Sequence, residues 1–538
     1  MNSLNIFNRS EYVEMLQKQT FDVLIIGGGI TGAGIALDAA NRGMKVALVE
    51  MQDFSAGTSS RSTKLIHGGL RYLKNGEIGL VMETGRERAI LHRNAPHLVH
   101  PEKMLLPLVK KGQLGKTTTR IALWVYDLLA GVKKKDRMRM LNKQQTLELQ
   151  KGFNESQIVG GALYCEYRTD DSRLTISVLK TATEKGAIAL NYMQCVGVHS
   201  NKTGCSSVEV KDLRTNARHE IAAKKIVNAT GPWVDELRKM DGPLGNKHLH
   251  LTKGIHLVVS GQHLKINQSC YVEIDDGRMI FAIPREGKVY VGTTDTDYAG
   301  DKTAPSLEKV DVEYLLKAIN NIFPEASLTK SHVVSYWAGL RPLISEHGKN
   351  NSEISRKDEI FISENGLISI AGGKLTAYRK MAERVVDLLA KNLHHKRVNT
   401  TKNIQLSGAA EIEEIEPTLS RFCAFFENSG FWKNHLWTRY GSNSSRIIEN
   451  YEQIKAEQHL EENLLIAEYQ YCMENESCFG VFDFFSNRNA WLLFHPEKIE
   501  PHLESLLEYA IKRQVLSEQS VEQERKKFVN WFNIIDSL

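Results

Sequence analysis

Residues 21–50 read FDVLIIGGGITGAGIALDAANRGMKVALVE. An apolar run, Val23 to Ile26, meets Gly27-x-Gly29-x-x-Gly32, then a helical pattern, Gly43, and a second apolar run, Val46 to Val49, closed by Glu50. Glycines allow a tight turn and close approach of backbone to a pyrophosphate, whose charge is stabilised at a helix N-terminus, while a terminal acid takes ribose hydroxyls. A lone glycine fingerprint is weak, but here strand, turn, helix, second strand and acid fall in register, so an ADP-containing cofactor is expected. The acid at Glu50, with no arginine beside it, argues against a 2′-phosphorylated nucleotide.

Further along, residues 366–390, GLISIAGGKLTAYRKMAERVVDLLA, form a second unit in which Gly372-Gly373 precede a helix with Ala382, Val385, Val386 and Leu389 on one face. Lys374 at that helix start would stabilise negative charge such as a reduced flavin carries. In AAKKIVNATGPWVDEL, residues 222–237, the strand Ile226 to Ala229 runs into Thr230-Gly231 and suits the same sheet. One fingerprint, two later strand-glycine returns and no CxxxxC pair fit a single FAD better than a nicotinamide cofactor.

Between these pieces lie strand-like segments: GIHLVVS at 254–260, RMIFAIPREGKVYVGTTDTDY at 278–298 and SHVVSYWAGLRPLIS at 331–345. The fold expected is α/β, α+β overall. A discontinuous Rossmann-like FAD-binding domain spans 1–95, 165–245 and 346–395, and an antiparallel-sheet substrate or cap domain spans 96–164 and 246–345. After residue 395 helical periods take over, with Ile447, Tyr451 and Ile454, then Leu503, Leu506, Leu507, Ala510 and Ile511, giving a C-terminal α-helical domain over 396–538.

Just after the first unit, residues 61–77 read RSTKLIHGGLRYLKNGE, a basic set around a glycine pair. Arg341 follows Gly339-Leu340 as Arg71 follows Gly69-Leu70. Two guanidinium groups approaching one flavin from two domains would suit a phosphate or carboxylate, which arginine binds in bidentate fashion. His256 is a candidate general base. Asp295 reads as a turn residue and Arg61 has no assigned role.

A length of 538 residues implies two or three domains. A net charge of +5 is mild and argues against nucleic acid, while leaving room for a small anionic substrate or a lipid surface. Seven cysteines without CxxC spacing disfavour a disulfide framework and any metal site, and point to a reducing compartment. No run approaches the roughly 20 apolar residues of a membrane span, and the N-terminal residues do not read as a secretory signal.

The chain resembles the FAD-dependent, respiratory glycerol-3-phosphate dehydrogenases of Bacillus-like bacteria, within the D-amino-acid-oxidase-type flavoproteins. The resemblance rests on IIGGGITGAGIALDAANRGMKVALVE, GTSSRSTKLIHGGLRY, VNATGPWV, TKGIHLV, FAIPREGKVYVGTTDTDY, WAGLRPLI, SEISRKDEI and AGGKLTAYRKMAE, and more loosely on TRYGSN at 438–443. It implies oxidation of sn-glycerol 3-phosphate to dihydroxyacetone phosphate, with hydride passed to FAD and electrons to a membrane quinone. It implies that Arg71, Tyr72, Arg341, Arg356, Lys374 and Thr376 surround the substrate and that His256 lies near the reacting carbon, with His256, Arg341 and Lys374 as the catalytic set. Gly27, Gly28, Gly29, Gly32, Glu50, Thr58, Ser59, Ser60, Lys64, Leu65, His67, Thr230 and Gly372 would hold FAD. A cytoplasmic homodimer, peripherally associated with the cytoplasmic membrane, is expected.

The segment KKGQLGKTTTRIALWVYDLLAGVKKKDRMRM, 110–140, has an apolar centre between basic clusters. An interfacial lipid patch would use this. A helix buried between domains, with solvated lysines, is slightly favoured. The helical tail is expected to serve dimer contacts or docking. The nearest rival function is a glycerol-3-phosphate oxidase giving electrons to oxygen; an amine or amino-acid oxidase and a non-catalytic flavin scaffold are more distant.

Overall fold

Strand Thr20–Ile26 is the axis of an eight-stranded sheet in the computed structural model, which describes residues 2–67, 78–110, 112–129, 132, 136–202, 204–346, 358–454 and 459–537. It pairs in parallel with Arg218–Asn228 on one side and Val46–Val49 on the other. Ile368–Ala371 and Ile188–Leu190 extend the parallel core outward. Both faces are covered, as a parallel sheet requires. Val23 and Ile25 pack with helices Ile30–Asn41, Asp171–Glu184 and Tyr378–Asn392, while Leu24 and Ile26 face a second core shared with strands Met193–His199 and Ser206–Asp212.

A ten-stranded, largely antiparallel sheet stands beside it. Its centre is Lys247–Ser260, which pairs along its length with Val333–Glu346 and, over its last residues, with Lys288–Gly292. Strand Ile158–Arg168 belongs wholly to this sheet, paired with His100–Val109 and, at its end, with Leu65–Ile66. That continuous ladder runs across the expected boundary at 164/165.

Helix Lys116–Leu129 is amphipathic: Leu123 and Tyr126 are buried, whereas Ile121, Trp124 and Leu128 face outward. Burial between domains, favoured above, is therefore corrected for this outer face. Lys133, Lys134 and Lys135 lie outside the described residues.

From Ile412 onward helices enclose a core that includes Trp432, Ile447, Leu506, Leu507 and Ala510. Buried ion pairs tie this unit to both sheets. Arg488 donates to both carboxylate oxygens of Asp53, at 2.7 and 2.9 Å. Arg173 grips Glu476 in the same bidentate way. At the hairpin turn between Met279–Arg285 and Lys288–Gly292, Glu286 accepts two bonds from Arg439 and one from His495. Burial alone would raise the Glu286 carboxyl, but Arg439, His495 and Arg285 hold it well below the usual carboxylate range. Breaking a buried pair strands the partner charge, at a cost of about 3–5 kcal/mol. Arg488→Ala is accordingly expected to lower the denaturant midpoint substantially; a midpoint equal to that of the parent would show the pair to be inert.

Candidate active site

The glycine turn closes directly on the end of strand Thr20–Ile26. Gly27 has φ +114°, a conformation L side chains rarely adopt. A Cβ on Gly32 would stand 1.9 Å from the carbonyl oxygen of Gly27, so only glycine lets the helix pack this close to the strand. Gly29 caps helix Ile30–Asn41, and the Ser59 hydroxyl accepts from the Ile30 amide at 2.9 Å. Glu50 accepts from the amides of Gly28 at 2.6 Å and Gln52 at 2.8 Å. Burial nonetheless raises its carboxyl above the ordinary value, against those amides. Thr230 lies against Gly27 and donates to Asn228 at 2.7 Å.

Beyond this turn opens a cavity of about 1200 Å³ whose lining includes Thr58, Leu65, His67, His256, Arg341, Gly372, Lys374 and Thr376. Residues read from distant parts of the sequence thus meet in one space. Thr58 donates to the Leu340 carbonyl at 2.8 Å, and Thr376 to that of His67 at 3.1 Å, so both hydroxyls also stitch the two sheets together. His67 is held well below its ordinary pKa by burial first, then by Lys374 and Arg88.

His256 Nε2 lies 3.0 Å from the Thr63 hydroxyl, and its ring stacks on Trp337 at 4.7 Å between centroids. Burial, then Arg341 and Lys64, keep this imidazole well below 6.5, so it is neutral near physiological pH. A neutral ring nitrogen is what proton abstraction needs. Arg341 Nη1 donates to Asp295 and to the Thr294 carbonyl, each at 3.1 Å, and Nη2 donates to Thr293 at 2.9 Å. Its side chain is 31% exposed and that of Asp295 36%, a setting in which an ion pair is worth only ~1 kcal/mol or less. A dianion can therefore compete for the guanidinium.

Several placements differ from expectation. The Lys64 ammonium is buried against Asp171 at 2.6 Å and the Ser60 carbonyl at 3.0 Å, contacts that serve the loop's own architecture. The Ser60 hydroxyl turns back to the Gly57 carbonyl. Arg61 donates to Thr303, and its carbonyl lies where a Cβ on Gly339 would be, 2.4 Å away. Arg71, Tyr72 and Arg356 lie outside the described residues. Thr63, Trp337 and Thr293 carry no signal in the sequence, and Asp295, read as a turn residue, is also a partner of Arg341; their contacts join residues distant in the chain, and no spacing announces them.

A family model described as FAD dependent oxidoreductase matches residues 22–379, and one described as C-terminal domain of alpha-glycerophosphate oxidase matches 399–520. The aerobic glycerol-3-phosphate dehydrogenase of Staphylococcus haemolyticus is 48% identical over 524 residues, covering 95% of this chain and 94% of the relative. The chain belongs to the FAD-dependent aerobic glycerol-3-phosphate dehydrogenase family. Its Bacillus subtilis relative is 46% identical over 534 residues, covering 95% and 94% of the two chains. Among solved structures, the glycerol-3-phosphate dehydrogenase from Bacillus halodurans complexed with FAD aligns with a TM-score of 0.83 at 39% identity, covering 99% of this chain and 98% of that one. The L-alpha-glycerophosphate oxidase of Mycoplasma pneumoniae shares the fold, with a TM-score of 0.56 at 20% identity over 69% of this chain and 95% of its own.

The residues present in this dehydrogenase-family chain fit FAD. The Gly27–Gly32 turn leaves no room for side chains where backbone must approach a pyrophosphate, and Glu50 lies beside it at the end of the second strand. The cavity itself is lined by Thr58, Gly372 and Lys374.

Proposed function

We propose that this protein oxidises sn-glycerol 3-phosphate to dihydroxyacetone phosphate at FAD and delivers the electrons to a membrane quinone, working as a homodimer held peripherally on the cytoplasmic membrane. The observation that carries the reading is the convergence of His256, Arg341 and Lys374 on one cavity in a chain of this family. FAD, when bound, supplies the acceptor for the hydrogen leaving C2. The protein's own residues do the rest. Neutral His256 takes the C2 hydroxyl proton at Nε2, where the substrate hydroxyl replaces that of Thr63, while the stack on Trp337 holds the ring in place. Arg341 and Lys374 hold the phosphate, and a substrate fixed in this way reacts without an orientational search. A dianion on Arg341 offsets one of the charges that depress His256, so binding the substrate makes the base more basic. No helix among the described residues is long and apolar enough to cross a membrane, which is compatible with peripheral attachment.

The test is spectroscopic. Anaerobic addition of sn-glycerol 3-phosphate to the purified protein is expected to bleach the flavin band, with colour restored faster by a quinone than by air. Bleaching by glycine-type substrates alone would sink the reading. Peroxide formed in step with substrate, at quinone-free rates matching full turnover, would move the protein to the oxidases.

A further inference from the structure

The loop that follows Glu50 wraps the glycine turn. The Ser55 amide donates to the Gly28 carbonyl at 3.2 Å, and the Phe54 ring stands where a side chain on Gly28 would be. Farther along, the Ser59 hydroxyl takes the Ile30 amide at the head of the helix, and Thr58 lines the redox cavity. One short segment therefore shapes both the pyrophosphate seat and an edge of the flavin chamber. Its only regular structure is the single turn Thr58–Ser60. Ser55 is held at φ +67°, a left-handed conformation that a residue with a side chain keeps only where its surroundings impose it.

The C-terminal domain supplies those surroundings. Asp53 is buried, and its carboxylate accepts four hydrogen bonds: at Oδ1 from Arg488 Nη2 at 2.9 Å and Asn191 at 3.0 Å, at Oδ2 from Arg488 Nη1 at 2.7 Å and Asn487 at 3.0 Å. Three of these come from one wide turn, Phe484–Arg488, closed by the Asn489 amide reaching back five residues to the Phe484 carbonyl. The same turn holds Ser55, whose hydroxyl lies 2.5 Å from that of Ser172, which in turn donates to the Asn487 carbonyl at 2.8 Å. Asn191 also donates to the Ser477 carbonyl at 2.9 Å. Next to it, the Tyr192 amide bonds Gln52 at 3.1 Å while its ring hydroxyl donates to Asp483.

These ties set charge as well as shape. After burial, the charge of Asp53 is among the causes that raise the Glu50 carboxyl three residues away, and Arg488 is the cation placed against it. Glu286, by contrast, ties the same domain to the other sheet through Arg439 and His495, and its hydrogen bonds among the described residues include none to this loop.

We propose that the Phe484–Arg488 turn is the latch of the cofactor site: by clasping Asp53 it holds residues 51–60 in the conformation that retains FAD. Arg488 and Asn487 are then positioning residues that act on the cofactor through Asp53. The helical domain sets how long the flavin stays, whichever substrate or acceptor the flavin serves.

The measurement is flavin release: the full-length, FAD-loaded protein is diluted into flavin-free buffer and the rise in flavin fluorescence is followed, with far-ultraviolet circular dichroism showing that each variant is folded. Arg488→Ala should release FAD about tenfold faster than the parent or more, since losing one partner of a buried charge pair acts mainly on dissociation. Arg488→Lys, which keeps the charge but not the fork, should fall between the two. Ser172→Ala/Asn487→Ala trims two polar contacts and leaves the ion pair, so release should quicken about threefold or more. Glu286→Gln, which loosens the same domain at the other sheet, should release FAD at the parental rate. Parental release from Arg488→Ala overturns the latch; where that variant does not fold, parental release from the double variant does so. Equal acceleration in Glu286→Gln and Arg488→Ala also overturns it, because flavin loss would then follow from general loosening of the domain.

Discussion

Arg341→Ala is expected to raise KM for sn-glycerol 3-phosphate by roughly 10²-fold while FAD stays bound. A charge-assisted hydrogen bond to phosphate is worth about 1.5–3 kcal/mol, and the guanidinium offers two donors in a fixed fork. Roughly 3 kcal/mol is about two factors of ten in kcat/KM. The loss should be specific to the phosphate end, because Arg341 lies in the cavity and not at the glycine turn. Arg341→Lys should recover part of it, keeping the charge but not the fork. Normal steady-state kinetics with the alanine variant would remove Arg341 from the phosphate site.

His256→Asn is expected to slow single-turnover bleaching by roughly 10²- to 10⁴-fold, the usual contribution of a positioned base. The bound flavin spectrum should be unaffected, and bleaching as fast as in the parent would exclude His256 as the base. A pH profile adds a signature that a merely structural histidine would not give. Burial comes first, then Arg341, among the causes that lower this imidazole. The acid limb of kcat/KM in the parent should therefore lie below 6.5, the ordinary imidazole value. Activity is present above the depressed value and is lost as pH falls through it. Removing the cation in Arg341→Ala should shift that limb upward. A limb at the same pH in both proteins would mean that the titrating group is not this histidine.

Much of the cofactor end is legible in the chain because it is local. Residues 21–50 hold strand, turn, helix, strand and acid in one contiguous run, and the second strand-glycine unit at 368–373 reads the same way. The long strands of the second sheet are also announced by their alternation: GIHLVVS falls within Lys247–Ser260 and SHVVSYWAGLRPLIS within or beside Val333–Glu346. The reaction end is less readable. That Thr63 holds His256, or that Asp295 holds Arg341, depends on how strands register across the sheet, and pairing partners leave no mark in local periodicity. Lys64 shows the same limit: its acid, Asp171, is far away in sequence and becomes a neighbour only when helix Asp171–Glu184 packs under the loop. For helix Lys116–Leu129 the apolar centre is readable, but which apolar residues meet protein and which meet solvent depends on neighbours.

The Glu286 turn has a mechanical meaning. Its hairpin is bolted to the C-terminal helices through Arg439 and His495, and next to it Arg285 reaches Asp170 at 3.0 Å in the segment leading to helix Asp171–Glu184. A roof fastened at that point to two walls is not free to swing like a jaw. The helical tail, remote from the chemistry, thus acts as a brace on one end of the sheet that roofs the chamber.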